Sequence, residues 1–215
     1  MRVVIAGGHG QIALRLERQL AEAGHEAVGL VRNPDHVPDL EKVGARGVVL
    51  DLERASAADV AAVVSGADAV VFAAGGGPNS GAARKDTVDR AAAALLADAA
   101  EQTGVRRYLM VSSMGTDQAD PDSDEVFQVY LRAKAAADED LRGRDLDWTI
   151  VQPGRLTDDE GTGSISLDPG SDPREIPRED VAAVLLAALG DPATIRRQFT
   201  VLTGQTPVAE ALAGL

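Results

Sequence analysis

Tyr130 and Lys134 stand four residues apart in a stretch of helical periodicity, so their side chains leave one face of a helix a single turn apart. An ammonium beside a phenol stabilises the phenolate and lowers a pKa that is otherwise about 10. The phenol then becomes a better proton donor to a carbonyl oxygen whose carbon is receiving a hydride. Taken alone, the same pair also describes a half-buried tyrosine next to a surface lysine, so the weight falls on what converges with it. A run of strand character from Arg107 to Ser113 precedes the pair and ends in two hydroxyls. Ser113 is the candidate to hydrogen-bond a substrate carbonyl. Ser112 either touches the same ligand or marks a turn.

A second group of residues explains where a hydride would come from. The apolar run Arg2-Val3-Val4-Ile5-Ala6 stops at Gly7-Gly8-His9-Gly10, and a helical pattern from Ala13 to Ala23 follows without a linker. Gly7, Gly10 and Ala13 fall at G-x-x-G-x-x-A spacing. That spacing supplies a tight turn, a point where backbone approaches a diphosphate, and a small residue where helix meets strand. The helix start, with Gln11 and Ile12, then points unpaired N–H groups at an anion. His9 either touches a phosphate or fills the turn. At the end of the next strand stands Arg32, where a protein that prefers NAD usually presents an acid to the ribose 2′-hydroxyl. An arginine there suits a 2′-phosphate, which favours NADP(H) over NAD(H); the alternative is a solvated loop residue. Ala73, Ala74 and Gly75 follow the fourth apolar run and line the same groove, although core packing would also account for the alanines. Arg155, after Pro153-Gly154, meets substrate or cofactor, or forms a surface ion pair.

The elements that must position these residues alternate regularly. Strand patterns at Glu26–Val31, Arg46–Leu50, Ala67–Ala74, Arg107–Ser113 and Leu146–Gln152 are separated by helical stretches at 35–43, after Ser56, at 82–103 and at 124–142. This alternation predicts a doubly wound parallel sheet with helices on both faces, in one domain over residues 1–215. Residues 154–177 are polar and rich in Gly, Asp and Pro, with only Ser164–Leu167 of strand type, and form a small substrate-side appendage. A helix at 178–189 and a last strand at 199–202 close the pattern. The Ala-rich helices at 82–103 and 124–142 pack on the sheet or pair two subunits, leaving monomer and homodimer open.

Composition removes several classes. With 215 residues the chain is long enough for a real core, and at 3% aromatics that core must be built from Ala, Val and Leu. A formal charge of −13 and a pI near 4.6 argue against nucleic acid or an anionic membrane as a partner, so an anionic cofactor needs a local cationic group. No cysteine is present, which excludes disulfides and thiolate metal sites. His9, His25 and His36 lack metal-ligand spacing. Asp120-x-Asp122-x-Asp124 has Glu125 where a calcium loop needs glycine and Leu131 where it needs glutamate, so no metal is expected. The N-terminus carries no signal-peptide pattern and no apolar run is long enough to span a bilayer, which together point to the cytoplasm.

The glycine turn, Ser113, Tyr130-x-x-x-Lys134 and Pro153-Gly154, in that order, resemble the short-chain dehydrogenase/reductase superfamily. Val105-Arg106-Arg107-Tyr108, Pro153-Gly154-Arg155-Leu156-Thr157-Asp158 and Arg178-Glu179-Asp180-Val181-Ala182 are similar to its atypical branch of NAD(P)-binding proteins, which is epimerase/dehydratase-like. The resemblance spans nearly the whole chain. It implies a Rossmann fold with a nicotinamide cofactor, Ser113 and Tyr130 near a carbonyl, and Lys134 on the nicotinamide ribose. It also implies that Asp51 and Leu52 contact the adenine, where Asp51 otherwise caps a turn. Alanine replaces the third glycine of the motif, and the C-terminal part is far shorter than in nucleotide-sugar epimerases. The expected activity is NAD(P)H-dependent reduction of a small carbonyl or similar acceptor. The alternatives are a cofactor-sensing regulator like the NmrA-like proteins, or a small epimerase or dehydratase.

Overall fold

A computed structural model describes residues 1–77 and 84–215. Pro78 and Ala82, where sequence reasoning placed a breaker and the start of an Ala-rich helix, lie outside the described residues. The first half of the chain alternates as expected: β1 (Arg2–Ala6), α1 (Gln11–Glu22), β2 (Glu26–Val31), α2 (Val37–Lys42), β3 (Arg46–Val49), α3 (Ala57–Val64) and β4 (Ala69–Phe72). A π-helical stretch, Lys85–Ala91, then runs into α4 (Ala92–Thr103), followed by β5 (Arg107–Val111), α5 (Val126–Arg142) and β6 (Asp147–Pro153). Helix starts follow local chemistry. Ser56 and Asp59 form a reciprocal capping box at α3, satisfying two N–H groups that a helix start leaves open.

Strands β1 to β6 pair in parallel in the order β3-β2-β1-β4-β5-β6, the order of a dinucleotide-binding sheet. Side chains alternate between its two faces. Val3, Ile5, Val71, Leu109 and Val151 face one cluster with α1, and Val4, Val28, Val70, Phe72, Tyr108 and Ile150 face the other with α3 and α4. At the amino end of β5, opposite the end that carries the glycine turn, the half-buried Arg107 donates to Ala188 O at 2.6 Å and to the Thr194 and Thr149 hydroxyls, both at 2.8 Å. Burial lowers its pKa to about 10, and those acceptors replace the water that it loses.

The second half departs from the expected pattern. Beyond β6 come β7 (Arg155–Thr157), β8 (Ser164–Ser166), β9 (Glu175–Pro177), α6 (Arg178–Gly190), β10 (Arg197–Thr203), β11 (Thr206–Pro207) and α7 (Val208–Ala213). Strand β10 extends the parallel sheet, but β8 runs antiparallel between β10 and β11, while β7 and β9 make a separate two-stranded sheet. Residues 154–177 therefore contain three short paired strands joined by loops, and the sheet is parallel only in its larger part. Gly204 makes this possible: a Cβ there would lie 2.2 Å from the Ile165 carbonyl carbon. Helix α6 packs beside α1 on the first face.

Candidate active site and cofactor groove

The functional surface lies where β1 and β4 diverge, at the carboxyl ends of the strands. Gly7 has φ +81°, a conformation that disfavours side chains, and a Cβ on it would come within 2.6 Å of the Ala74 Cα. A Cβ on Gly10 would lie 3.0 Å from Gly7 O. No side chain caps α1 at Gly10, so the first N–H groups of the helix open toward the groove. A diphosphate fits this cradle: glycines keep the space open, and among the described residues the first N–H groups of α1 have no side-chain partner.

Two clefts open from the cradle and share Gly10, Ala73, Ala74, Gly75 and Gly76. The narrower, about 280 Å³, runs over the ends of β2 and β3. Its walls include Gly7, His9, Arg32, Asp51 and Leu52, all singled out in the sequence, together with His36, Glu53 and Arg84, which were not. Glu53 joins the cations at its mouth, accepting from Arg84 at 2.8 Å and from Arg32 at 3.5 Å, with the Thr87 hydroxyl donating at 2.8 Å. Arg84 holds the Glu53 carboxyl below its ordinary pKa, so Glu53 is an anion at neutral pH. His9 stacks on His36 with ring centroids 3.7 Å apart and reaches Asp39 at 3.0 Å, which turns its ring against the loop after β2.

The wider cleft, about 610 Å³, lies over β5 and the start of α5. It gathers Ile12, Ser112, Tyr130 and Lys134 from the sequence candidates, plus Lys85, Asp89, Val126, Phe127 and Leu156. Lys134 is buried and fully engaged: Nζ lies 3.3 Å from Asp89 Oδ1 and donates to Val111 O at 3.0 Å and Ala74 O at 3.4 Å. Asp89 in turn accepts from the Gly76 N–H at 3.0 Å, so one ion pair fastens α5 to the glycine-rich loop after β4. A third residue continues the helical stripe, since Asp138 follows Lys134 by four. The Ser112 hydroxyl donates to Asp138 Oδ2 at 2.7 Å. Burial pushes the Asp138 carboxyl up to about 6, with the Ser112 hydrogen bond opposing that rise.

The remaining candidates lie elsewhere. Ser112, not Ser113, borders the wide cleft; the Ser113 hydroxyl donates to Met114 O at 3.3 Å. Ser112 N–H still pairs with Val151 O, so the strand's alternation carries on past its formal end and decides which hydroxyl faces the ligand side. Gln11 is exposed on the first turn of α1 and borders neither cleft. Pro153 is buried in β6. A Cβ on Gly154 would strike Leu202 Cδ2 at 2.4 Å, a packing reason for that glycine. Arg155 is exposed on β7 and ion-paired with Glu175, the surface alternative considered for it. Of that segment it is Leu156 that reaches the wide cleft.

The sequence matches the NAD(P)H-binding family over residues 7–192. The chain belongs to that family. It is 35% identical over 213 residues to an uncharacterized sugar epimerase of Bacillus subtilis, covering 99% of each chain. In solved structures it is similar to a Bacillus halodurans protein classed among the NAD-dependent epimerase/dehydratases, with TM-score 0.92, 38% identity and all of both chains covered. A Lactococcus lactis oxidoreductase superposes with TM-score 0.86 at 26% identity, covering 100% of this chain and 96% of the other. The chain is thus an NAD(P)-binding protein with the Rossmann fold.

Proposed function

We propose that this family member is an oxidoreductase that uses NADP(H) to reduce a carbonyl or similar acceptor. The observation that carries the reading is the convergence of Tyr130, Lys134 and Ser112 on the wide cleft that leads from the glycine cradle. A sensor that only binds dinucleotide needs the cradle but no proton donor beside it, and Tyr130 is half-exposed to that cleft rather than packed away. Gly7, Gly10 and the start of α1 would hold the diphosphate, Arg32 with Asp51 and Leu52 the adenosine end, and Lys134 the side of the nicotinamide ribose. When bound, the cofactor supplies a hydride to the acceptor carbon.

The protein's part is to orient the acceptor and move one proton. Tyr130 donates its phenolic proton to the oxygen of the acceptor as charge develops there. The Lys134 ammonium, held by Asp89, Val111 O and Ala74 O, adds positive charge behind the phenol. Ser112 is the hydroxyl placed to steady the developing oxyanion. Ser112 now donates to Asp138, so it turns toward an acceptor when Asp138 carries a proton of its own, which its raised pKa favours in weakly acidic solution.

The test is a screen of aldehydes, ketones and quinones with NADPH, repeated with Tyr130→Phe. The variant should bind NADPH as the unmodified protein does while kcat falls by roughly 10²–10⁴, the usual worth of a positioned general acid. Turnover undiminished by the substitution refutes Tyr130 as the donor.

A further inference from the structure

Lys85 is the odd cation of the wide cleft. It lies in the π-helical stretch, is only 5% exposed, and donates to Gly77 O at 2.7 Å while its Nζ stands 5.2 Å from the centre of the Tyr130 ring. Lys134, on the same cleft, is ion-paired with Asp89, but among the described residues no carboxylate forms an ion pair with Lys85. The sequence of residues 78–83, Pro-Asn-Ser-Gly-Ala-Ala, supplies no acid either. An ammonium has three donors, and the carbonyl takes one of them. A buried cation without a counter-ion is costly, and in a chain of net charge −13 with 34 acidic residues its lack of one is notable.

Apart from Ser112 and the glycine-rich loop, the rest of the lining is apolar. Ile12, Val111 and Leu156 line the cleft, and Val126 and Phe127 stand at the start of α5, 47% and 61% exposed. The Phe127 and Tyr130 rings are 6.1 Å apart with an interplanar angle of 30°, forming one aromatic wall. Lys85 borders this cleft and not the narrow one, so its unspent charge faces the acceptor side of the cradle.

We infer that Lys85 is the counter-ion for the acceptor, and that the acceptor is a carbonyl compound with a single carboxylate on an apolar, ring-sized body. A monoanion balances the one unpaired ammonium, whereas a phosphate dianion would leave the cleft with excess negative charge. The apolar body covers Val126 and Phe127, and the carboxylate fixes its orientation so that the carbonyl lies at the Tyr130 hydroxyl. This rests on the reading of the wide cleft as the acceptor site.

The experiment is titration calorimetry on the full chain saturated with NADP⁺, using benzoate and its neutral isostere benzamide as probes. Benzoate should bind at least about tenfold more tightly than benzamide, as expected for a charge-assisted hydrogen bond. Lys85→Gln should erase that preference, Lys85→Arg should keep it, and both should bind NADP⁺ as the unmodified protein does and remain folded at the assay temperature. Equal affinity for the two probes, no binding of either, or a preference that survives Lys85→Gln overturns the inference. So does a Lys85→Gln variant that loses NADP⁺ affinity, which would assign the ammonium to the cofactor. Because the readout is binding, a benzoate preference in a protein that turns over no carbonyl acid supports the inference and counts against the catalytic reading alone. Turnover of neutral carbonyls without that preference does the reverse.

Discussion

Glu53 holds Arg84 and Arg32 at the mouth of the narrow cleft with contacts of 2.8 and 3.5 Å, an arrangement ready for a second anion. A 2′-phosphate offers more negative charge and more acceptor oxygens than this carboxylate, and a guanidinium can grip it with two parallel hydrogen bonds. NADPH should therefore bind more tightly than NADH, and Arg32→Ala or Arg84→Ala should each narrow the gap by roughly 10- to 150-fold, the worth of one charge-assisted contact. Glu53→Gln should widen it by removing the resident anion. Fluorescence titrations with the two cofactors check this, and equal affinities in the unmodified protein refute it. Arg32 was legible in the sequence because it follows a strand at a fixed offset. Arg84 and Glu53 were not, since nothing along the chain says that a residue after β3 faces one before α4. Asp138 was within reach, as it repeats the four-residue step of Tyr130 and Lys134. Ser112 and Ser113 differ by one place in a strand, and only the pairing of Ser112 with β6 decides between them.

At the scale of elements, the first helix of the fold carries a buried acid. Glu17 lies on the inner side of α1, fully buried, and neither carboxyl oxygen has a hydrogen-bond partner among the described residues. Its room comes from two glycines: Cβ atoms on Gly29 and Gly8 would fall 2.4 and 3.0 Å from Glu17 Oε1, and Leu40 closes the other side. Burial raises its pKa from 4.5 to about 8. Between those values the folded chain keeps a proton that the unfolded chain has released. The stability linked to Glu17 is therefore whole below pH 4.5 and is lost as pH rises toward 8. Glu17→Gln should flatten that decline and exceed the unmodified protein at pH 8 by about 1–3 kcal/mol, with little difference at pH 5. Urea unfolding at the two pH values tests this, and parallel pH dependence in both proteins would refute it. The helix itself was plain from its periodicity, as were β1, β2, β4, β5 and β6, whose apolar runs are buried in the sheet, and the part-exposed edge strand β3 was found from its place in the alternation. By contrast, β7, β9 and β11 are two or three residues long, too short to show a period of two, and are held by partners far along the chain. Helix α7 was missed for the same reason, with six residues and an alanine-rich sequence.

At the scale of the molecule, attraction for the cofactor is local and repulsion is general. The chain carries −13, and the cofactor it is built to hold is also a polyanion. Long-range repulsion acts during approach, whereas Arg32, Arg84 and the N–H groups of α1 act only after arrival. Salt screens the first over a Debye length of about 10 Å at 0.1 M and weakens the second more gradually. Raising KCl from roughly 0.02 to 0.2 M should thus speed NADPH association and its dissociation together, so that the exchange rate responds to salt more than the affinity does. Stopped-flow mixing separates the two, and an association rate that falls with salt would refute the argument. A protein with this charge layout behaves as a slow door with a firm latch: at low ionic strength a bound dinucleotide is slow to leave, and its exchange with the surrounding pool, not its affinity, becomes the quantity that the medium controls.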